Sequence, residues 1–323
     1  MILESGFVFN LFLRRVLSPF YANPISNKIT GKVYDTTPIQ PLSIGRRAFF
    51  VEKDIPEYLT AETVDSLSDF KVKPIRQYKG FACNLDGYTD VADYLKENLG
   101  KSTIKNIRTR KRQLESRFNV VYKFYSGEID KEHYDFLFDR FYHMLKNRFD
   151  EKKTYNRYLL DWKHYFEMIY PMLLKNEALL SVIYANDEPI SISLEFCLED
   201  ICFGYIHGYD SNYHRYQLGD IRMVILLEWL IANKFRFFDT LMGETVFKAK
   251  WSNHIYNFHY DVFYKKNSIS SLVRLNYLEF KLRFKQWLRD KGILGKWFKM
   301  DKFLYKRMAK KLKNHNWKNM EVS

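Results

Sequence analysis

The stretch between residues 179 and 209 constrains the fold most, because it reads as three consecutive strands joined by two tight turns. The three predicted strands are Leu179–Ala185, Pro189–Leu198 and Ile201–Tyr209. The two turns are Asn186-Asp187-Glu188 and Glu199-Asp200, and residues of these types favour tight reversals. Such short connections join antiparallel neighbours, so the pattern predicts a three-stranded meander.

The elements around the meander predict the fold class. An amphipathic helix at 156–175 precedes it, and a long apolar helix, Ile221–Ala232, follows after a polar loop. Further strands are expected at 235–241 and 255–264. A meander followed by a crossover helix and a neighbouring strand is typical of a mixed sheet. We therefore expect an α/β (α+β) fold with mixed, mostly antiparallel sheets.

The part of the chain before the meander is less regular. Residues 20–45 are rich in Pro, Asn, Thr and Gly and read as loop. Helices are predicted at 90–99, 101–117 and 130–148, with a strand at 119–125. The helix at 101–117 is strongly basic.

Charge and cysteine content limit the classes of function. The net charge is +14, and residues 270–323 hold 15 Lys/Arg against 4 Asp/Glu, so an anionic partner is expected for this tail. The three cysteines form neither a disulfide framework nor a metal motif. Cys197 and Cys202 face each other across the predicted hairpin, and we expect both to be reduced. We therefore predict a cytoplasmic protein without a metal site.

The junction Tyr216-Gln217-Leu218-Gly219-Asp220 lies between a predicted strand and a predicted helix. A helix N-terminus presents unpaired backbone N–H groups and the positive end of the helix dipole, which suits a phosphate. Gly219 would let the backbone approach that anion closely. The alternative is that Gly219 only makes the turn and Asp220 only caps the helix.

The segment from Phe238 to Trp251 is the second stretch with functional character. A strand ending at Asp239 is followed by Gly243-Glu244 and then by Lys248. Functional residues commonly lie on loops at strand ends. The alternative is that Lys248 is a solvated surface residue and Trp251 belongs to the core.

Together these segments carry a family resemblance over residues 101–264. The matching pieces, in chain order, are the basic helix Ile104–Leu114, Glu188-Pro189-Ile190-Ser191, Tyr209-Asp210, Leu218-Gly219, Phe238-Asp239, Gly243-Glu244 and Phe247-Lys248 followed by Trp251. The chain resembles the CelD-like branch of the GNAT superfamily of N-acyltransferases. That branch is associated with cellulose and surface-polysaccharide loci and is related to the FemAB peptidyltransferases.

The resemblance implies an organisation for the chain. It implies tandem GNAT-like halves, with a degenerate N-terminal half at 1–155 and an acyltransferase half at 156–266. Residues 267–323 would form a basic, helical C-terminal tail.

The resemblance also implies where the acyl donor binds. The pyrophosphate of acyl-CoA would lie against the helix N-terminus formed by Gln217, Leu218, Gly219, Asp220 and Ile221. The superfamily loop usually has the form Arg/Gln-x-x-Gly-x-Gly/Ala, whereas this chain offers one glycine followed by Asp220. FemAB relatives take the acyl group from aminoacyl-tRNA instead, and the basic helix at 101–117 would tolerate tRNA. A carrier-protein thioester is a third donor class.

Acyl transfer to an amine needs a base and a group that stabilises negative charge. Lys248 matches the family lysine and would stabilise the developing charge, while Asp239 and Glu244 would orient the amine or act as base. Glu195 and His207, on the central strands, are weaker candidates for the base. Glu195 has apolar neighbours in the sequence, so burial would raise its pKa towards neutrality.

The tail at 272–313 interleaves aromatic and aliphatic residues with Lys and Arg. Gly292 and Gly295 divide it into two predicted helices. We expect the first helix, 272–290, to pack on the acyltransferase half with its charged face solvated. The second, 296–318, is expected to bind an anionic surface such as the inner face of the membrane.

The sequence thus predicts an N-acyltransferase that moves an acyl group from a thioester donor to an amine in cell-envelope, polysaccharide or lipid biosynthesis. The acceptor would be an amine-bearing small molecule or envelope precursor. Two alternatives stay open. One is a FemAB-like transferase that uses aminoacyl-tRNA, and the other is a non-catalytic binding protein on a GNAT fold.

Overall fold

A computed structural model describes residues 6–38, 49–293, 300–312, 315 and 317–319. The chain divides into two compact units. Unit 1 comprises Met1–Asp86 and Asp239–Trp297, and unit 2 comprises Gly87–Phe238 and Phe298–Ser323. The predicted boundaries of the two GNAT-like halves stay a prediction, because compactness alone does not define a repeat.

Strands and helices alternate in clusters along the chain. The strands are β1 Val16–Leu17, β2 Ile25–Asn27, β3 Val33–Tyr34, β4 Thr37–Pro38, β5 Phe49–Pro56, β6 Leu59–Thr60, β7 Phe70–Asn84, β8 Val120–Tyr125, β9 Ala178–Ala185, β10 Glu188–Leu198, β11 Ile201–Tyr209, β12 Phe237–Met242 and β13 His254–Lys265. The helices are α1 Phe7–Arg14, α2 Val91–Asn98, α3 Lys101–Glu115, α4 Lys131–Lys152, α5 Trp162–Leu174, α6 Leu218–Ala232, α7 Val246–Trp251, α8 Ile269–Asp290 and α9 Met300–Leu312.

Unit 1 is built on β13, which pairs antiparallel with β5 on one side and with β7 on the other. The chain enters this unit again at Asp239, and the Thr240 hydroxyl donates to the carbonyl of Phe81 on β7 over 2.7 Å. Helix α8 packs on this sheet, because Leu275 is buried against Ile75 and Val262. The short parallel pair β1–β4 makes the strand pairing mixed.

Unit 2 contains the predicted meander. Strands β8, β9, β10 and β11 are successive antiparallel neighbours. Every residue of β9 is buried, as expected for an apolar strand with packed elements on both faces. The turns also lie where predicted, since Asn186, Asp187 and Glu199 all adopt positive φ. Antiparallel pairing of β10 with β11 brings the Sγ atoms of Cys197 and Cys202 to 3.8 Å, and both are thiols rather than a disulfide.

The predicted fold class is confirmed: α/β, with mixed and mostly antiparallel pairing and a helical C-terminal tail. Three local predictions are wrong. The loop predicted at 20–45 contains β2, β3 and β4, which at two or three residues are too short to show a period. Helix α7 lies in a segment predicted as loop, and α6 begins three residues before the predicted Ile221.

The tail contains two helices in different units. Helix α8 belongs to unit 1, whereas Met308 and Leu312 of α9 and the following Trp317 are buried within unit 2. Trp317 contacts the rings of Tyr142 and Phe166. Gly295, residues 296–299 and the end of the chain lie outside the described residues. No helix in the described part of the chain is long and apolar enough to cross a membrane.

Candidate functional site

The N-terminus of α6 is held in place by its own apolar side chains. Leu218 and Ile221 are buried in the core of unit 2 with Tyr216, so only their backbone groups are available to a ligand. Gln217, with φ 53°, makes the left-handed turn that was assigned to Gly219, and Gly219 instead lies in the first helical turn. The amides of Gln217, Asp220 and Ile221 donate to the carbonyls of His214 and Gln217. The Leu218 and Gly219 amides at the start of the helix are therefore the groups that an anion would contact.

Cationic side chains lie close to this helix. Helix α3 packs against α6 and against the 211–216 turn that leads into it. A cleft of about 560 Å³ runs between α2 and α3. Its lining includes the cationic side chains Lys96, Lys101, Lys105, Arg108 and Arg112, together with Asp93. An anionic donor would thus find positive charge beside the α6 helix as well as at its N-terminus.

A buried polar row crosses the middle of the unit 2 sheet. Ser191, Ser193 and Glu195 alternate along β10 and so share one face, and Ser193 is the register partner of His207 on β11. The Ser191 hydroxyl lies 3.0 Å from His207 Nε2. The Ser193 hydroxyl lies 2.8 Å from that of Ser181 on β9. Three serines on two buried strands, next to a histidine on a third, are unusual for a structural core, which makes this row a candidate site.

Glu195 and Arg222 form a buried ion pair within the row. Arg222 Nη1, on the second turn of α6, lies 3.1 Å from Glu195 Oε1. The Glu195 side chain is 1% exposed, and burial raises its pKa to about 7 against the opposing effect of the Arg222 charge. The second carboxyl oxygen, Oε2, is buried and has no hydrogen-bond partner among the described residues. Glu195 can therefore accept a proton near neutral pH and has an oxygen ready to do so.

His207 is held as a neutral imidazole. Burial lowers its pKa well below the usual value, and the charges of Arg222 and Arg148 lower it further. Arg148, on α4, donates to the His207 carbonyl over 3.1 Å and lies over the Tyr209 ring at 4.4 Å. A neutral imidazole can accept a proton or pass one on, but it contributes no charge. Arg148 and Arg222 were missed in the sequence, where each lies on an ordinary amphipathic or apolar helix.

In unit 1, Asp239 is fully buried and both of its carboxyl oxygens accept hydrogen bonds. Tyr58 and Tyr256 donate their hydroxyls to Oδ2 over 2.7 and 2.5 Å, and the Leu241 amide donates to Oδ1 over 2.7 Å. Burial raises the Asp239 pKa to about 6, while these hydrogen bonds oppose the rise. Neither tyrosine was predicted, because they lie 181 and 17 residues from Asp239 and carry no local signal.

Lys248 organises the loop that follows β12. Its Nζ donates to the carbonyls of Thr240 and Met242 over 2.5 and 2.7 Å, with a longer contact to Leu241 O at 3.4 Å. Leu241 and Gly243 have φ of 60° and 104°, so the chain reverses sharply beneath the ammonium. Burial lowers the Lys248 pKa to about 8, and Asp239 opposes the shift. The structure thus brings Asp239 and Lys248 close enough for the Asp239 charge to act on the ammonium.

Glu244 is exposed and 4.0 Å from Lys79. It lines a polar cleft of about 680 Å³ whose walls include the cations Arg76, Lys79 and Arg289. Asp239, Lys248 and Glu244 all belong to unit 1, while Glu195, His207 and the residues 217–221 belong to unit 2. Among the described residues no group of three His, Cys, Asp or Glu side chains could hold a metal ion.

Residues 101–249 match a family model described as "Acetyltransferase (GNAT) domain". The sequence matches none of the curated proteins. Similar solved structures include FemX (10% identity, TM-score 0.46, 66% of this chain and 71% of that chain) and L-PGS from Bacillus licheniformis (12%, 0.40, 65% and 67%). They also include a tandem GNAT protein from the clavulanic acid biosynthesis pathway (9%, 0.35, 69% and 66%).

With identities of 9 to 12% and TM-scores below 0.5, these likenesses say nothing about what the chain binds. The family match has more weight, since it covers α3, the meander, the α6 junction and Lys248. Residues 101–249 of this chain are thus similar to a GNAT acetyltransferase domain.

Proposed function

We propose that the chain is an N-acyltransferase that moves an acyl group from acyl-CoA to an amine. The observation that carries the proposal is Glu195, a buried carboxyl with a pKa of about 7 and one unpartnered oxygen. Arg222 ties it to α6, whose N-terminus has the geometry of an anion site. A base and a donor-binding helix are thus joined by one ion pair in unit 2.

The reaction needs few groups from the protein. Glu195 Oε2 would take a proton from the acceptor ammonium, and the free amine would attack the thioester carbonyl. The new C–N bond forms as the C–S bond breaks. CoA leaves as the thiolate, which is then protonated. A base with a pKa near the working pH is the most efficient, which fits the raised pKa of Glu195.

The other candidate residues have supporting parts in this proposal. Within the segment from Gln217 to Ile221, the amides of Leu218 and Gly219 would bind the donor pyrophosphate, with cations of the α2–α3 cleft nearby. His207, as a neutral imidazole, would orient the Ser191 hydroxyl within the polar row. Lys248 and Asp239 would shape the loop at 240–243 of unit 1. A CelD-like role in polysaccharide or lipid assembly at the cell envelope remains part of the proposal.

A second donor is favoured by a specific observation. The α2–α3 cleft has five cations along its walls, four of them on α3 at spacings of three or four residues. A row of cations can contact several successive phosphates of a nucleic-acid backbone, whereas a single pyrophosphate would contact only part of the row. Aminoacyl-tRNA is therefore the alternative donor, as in a FemAB-like transferase.

Calorimetric titration with acetyl-CoA, a long-chain acyl-CoA and free CoA tests the donor. We expect micromolar binding that Gly219→Glu abolishes, because a carboxylate in the first turn of α6 repels a phosphate. Gly219→Ala is the matched control and should bind normally. If no CoA species binds but a charged tRNA does, the acyl-CoA proposal is wrong and the second donor is supported. If neither binds, both donor proposals are wrong, and a carrier-protein thioester or a non-catalytic GNAT-fold protein takes their place.

Glu195→Gln separates binding from chemistry. Glutamine keeps the shape and can still accept from Arg222, so donor binding should be unchanged. Thiol release from the bound acyl-CoA in the presence of amines should fall at least about a hundredfold, because general-base catalysis typically contributes that much. Unchanged release would remove Glu195 from the proposed mechanism.

A further inference from the structure

Helix α8 has a buried face that fixes its position. Ser271 and Leu275 are buried, and Leu278 and Leu282 pack against the same core of Ile75 and Val262. These residues recur at spacings of three or four and therefore form one side of the helix. The opposite side must face outwards.

The outward side is aromatic rather than charged. Val273, Tyr277, Phe280, Phe284 and Trp287 follow one another at spacings of four, three, four and three residues, and each is at least half exposed. The rings of Phe280, Phe284 and Trp287 stack in series, with centroids 6.1 and 6.0 Å apart. We call these five residues the aromatic stripe. It is about 20 Å long at the rise of an α-helix. Soluble surfaces rarely expose a continuous apolar row of this kind.

One border of the aromatic stripe is cationic. Arg274, Lys281 and Lys285 follow one border, as their helical positions place them about 100 to 140° from Phe280. Partial burial lowers the pKa of Lys285, and the positive charges of Arg289, Lys281 and Lys53 lower it further. This mutual repulsion shows that positive charge accumulates beside the stripe.

The other border is not acidic either. The carboxylate of Glu279 is paired with Lys73 over 2.5 Å and with Arg283 over 2.8 Å. Helix α8 as a whole has five Lys/Arg and two Asp/Glu. An apolar aromatic row with a cationic border on an overall cationic helix has the chemistry of a helix that lies in a membrane interface.

We propose that α8 docks on the surface of an anionic phospholipid bilayer, with the aromatic stripe inserted between the headgroups. Anionic headgroups complement the cationic border of Arg274, Lys281 and Lys285, whereas a second copy of a chain with a net charge of +14 does not. Tyr277 and Trp287 have the amphipathic rings that favour the headgroup region. The helix lies on the membrane rather than across it, since no described helix is apolar enough to span.

The inference does not rest on the acyltransferase proposal. It concerns a surface of unit 1 outside the matched residues 101–249. It also differs from the sequence prediction, which placed the anionic surface at 296–318. That prediction remains untested, but Met308, Leu312 and Trp317 of that region are buried in unit 2 and unavailable to a bilayer.

Vesicle co-sedimentation tests the proposal with the full chain. Wild-type protein should bind vesicles of phosphatidylcholine and phosphatidylglycerol, and the double variant Phe280→Ser with Phe284→Ser should bind at least about tenfold more weakly, because two large apolar side chains lose their insertion energy. Phe303→Ser is the matched control, since Phe303 is a 67% exposed aromatic residue of α9. It should bind like the wild type.

Charge and self-association give independent readouts. The double variant Lys281→Gln with Lys285→Gln should weaken binding to anionic vesicles and reduce its dependence on salt. Equal wild-type binding to pure phosphatidylcholine vesicles would overturn the anionic part of the proposal. Equal vesicle binding by the phenylalanine double variant would overturn the role of the stripe. A wild-type dimer in analytical ultracentrifugation that the same variant dissociates would assign the stripe to a second copy instead.

Discussion

Replacing Glu195 by glutamine should change how stability depends on pH. Burial raises the pKa of the folded-state carboxyl to about 7 from an ordinary value of 4.5. Between these two pH values the folded protein holds a proton that the unfolded chain releases. The free energy of unfolding therefore falls as the pH rises from about 4.5 to 7. Glutamine keeps the shape of the side chain but has no proton to lose, so the variant lacks this fall.

The size of the effect follows from the pKa difference. A shift of about 2.5 pH units corresponds to about 3 kcal/mol, at about 1.4 kcal/mol per unit. No discount for solvent screening is needed, since the side chain is 1% exposed. The attraction between Arg222 and Glu195 exists only while Glu195 is ionised, and its effect is already included in the pKa of about 7. The difference between variant and wild type should thus shift by about 2 to 3 kcal/mol in favour of the variant between pH 5 and pH 8.

Urea unfolding followed by circular dichroism at both pH values measures this shift. Hydrogen exchange in peptides from β10 assigns it to unit 2, because two compact units need not unfold together. Glu97→Gln, at an exposed position on α2, is the matched control and should show no shift. If the Glu195→Gln difference is the same at pH 5 and pH 8, Glu195 has an ordinary pKa. The argument that it is a base poised near neutrality would then be wrong.

Three further perturbations test the surroundings of the site. Lys248→Met should lower the free energy of unfolding by about 1 to 3 kcal/mol and speed hydrogen exchange in the 240–243 loop, since buried carbonyls lose a charged donor; unchanged exchange would show that the loop keeps its shape without the ammonium. Gly80→Ala should cost about 1 to 3 kcal/mol in thermal unfolding, because the added methyl would lie 2.2 Å from Cζ of Tyr256, whereas Gly100→Ala has open space and serves as the control. Equal stability of the two glycine variants would contradict this packing. Trp317→Ala should cost about 3 kcal/mol, as expected for a buried tryptophan, and a loss below about 1 kcal/mol would indicate that the end of the tail is not docked on unit 2.

The regular part of the fold could be predicted from the sequence because its signals are local. Apolar runs of strand length separated by Asn-Asp and Glu-Asp turns specify β9, β10 and β11 without reference to the rest of the chain. The short strands β2 and β3 could not be found this way, since two or three residues cannot show a period of two. Helix α7 is equally short, and only the Thr245 hydroxyl, which accepts from the Lys248 amide, signals its start.

The candidate site was predictable only in part, for a related reason. Residues with a local motif, such as Asp239 and Lys248, could be named together and are close in space. Partners that come from distant segments gave no signal. Tyr58 lies 181 residues from Asp239, and Arg222 lies 27 residues from Glu195 on a helix that otherwise reads as apolar. The composition offers only a weak hint, through an aromatic share of 18%.

The hydrogen bonds of the two buried carboxyls, Asp239 and Glu195, decide which of them is the better base. Asp239 has both oxygens engaged, with two tyrosine hydroxyls on one and a backbone amide on the other. A carboxylate in that state stabilises the protein, because taking a proton would break bonds already made. Glu195 has a comparable burial but only one partnered oxygen, so protonation of Oε2 breaks no hydrogen bond. A buried oxygen without a hydrogen-bond partner destabilises the folded state, and groups of this kind are found at functional sites. The hydrogen bonds that each carboxyl already accepts, rather than burial or pKa alone, are therefore the reason to assign proton transfer to Glu195 and a positioning role to Asp239.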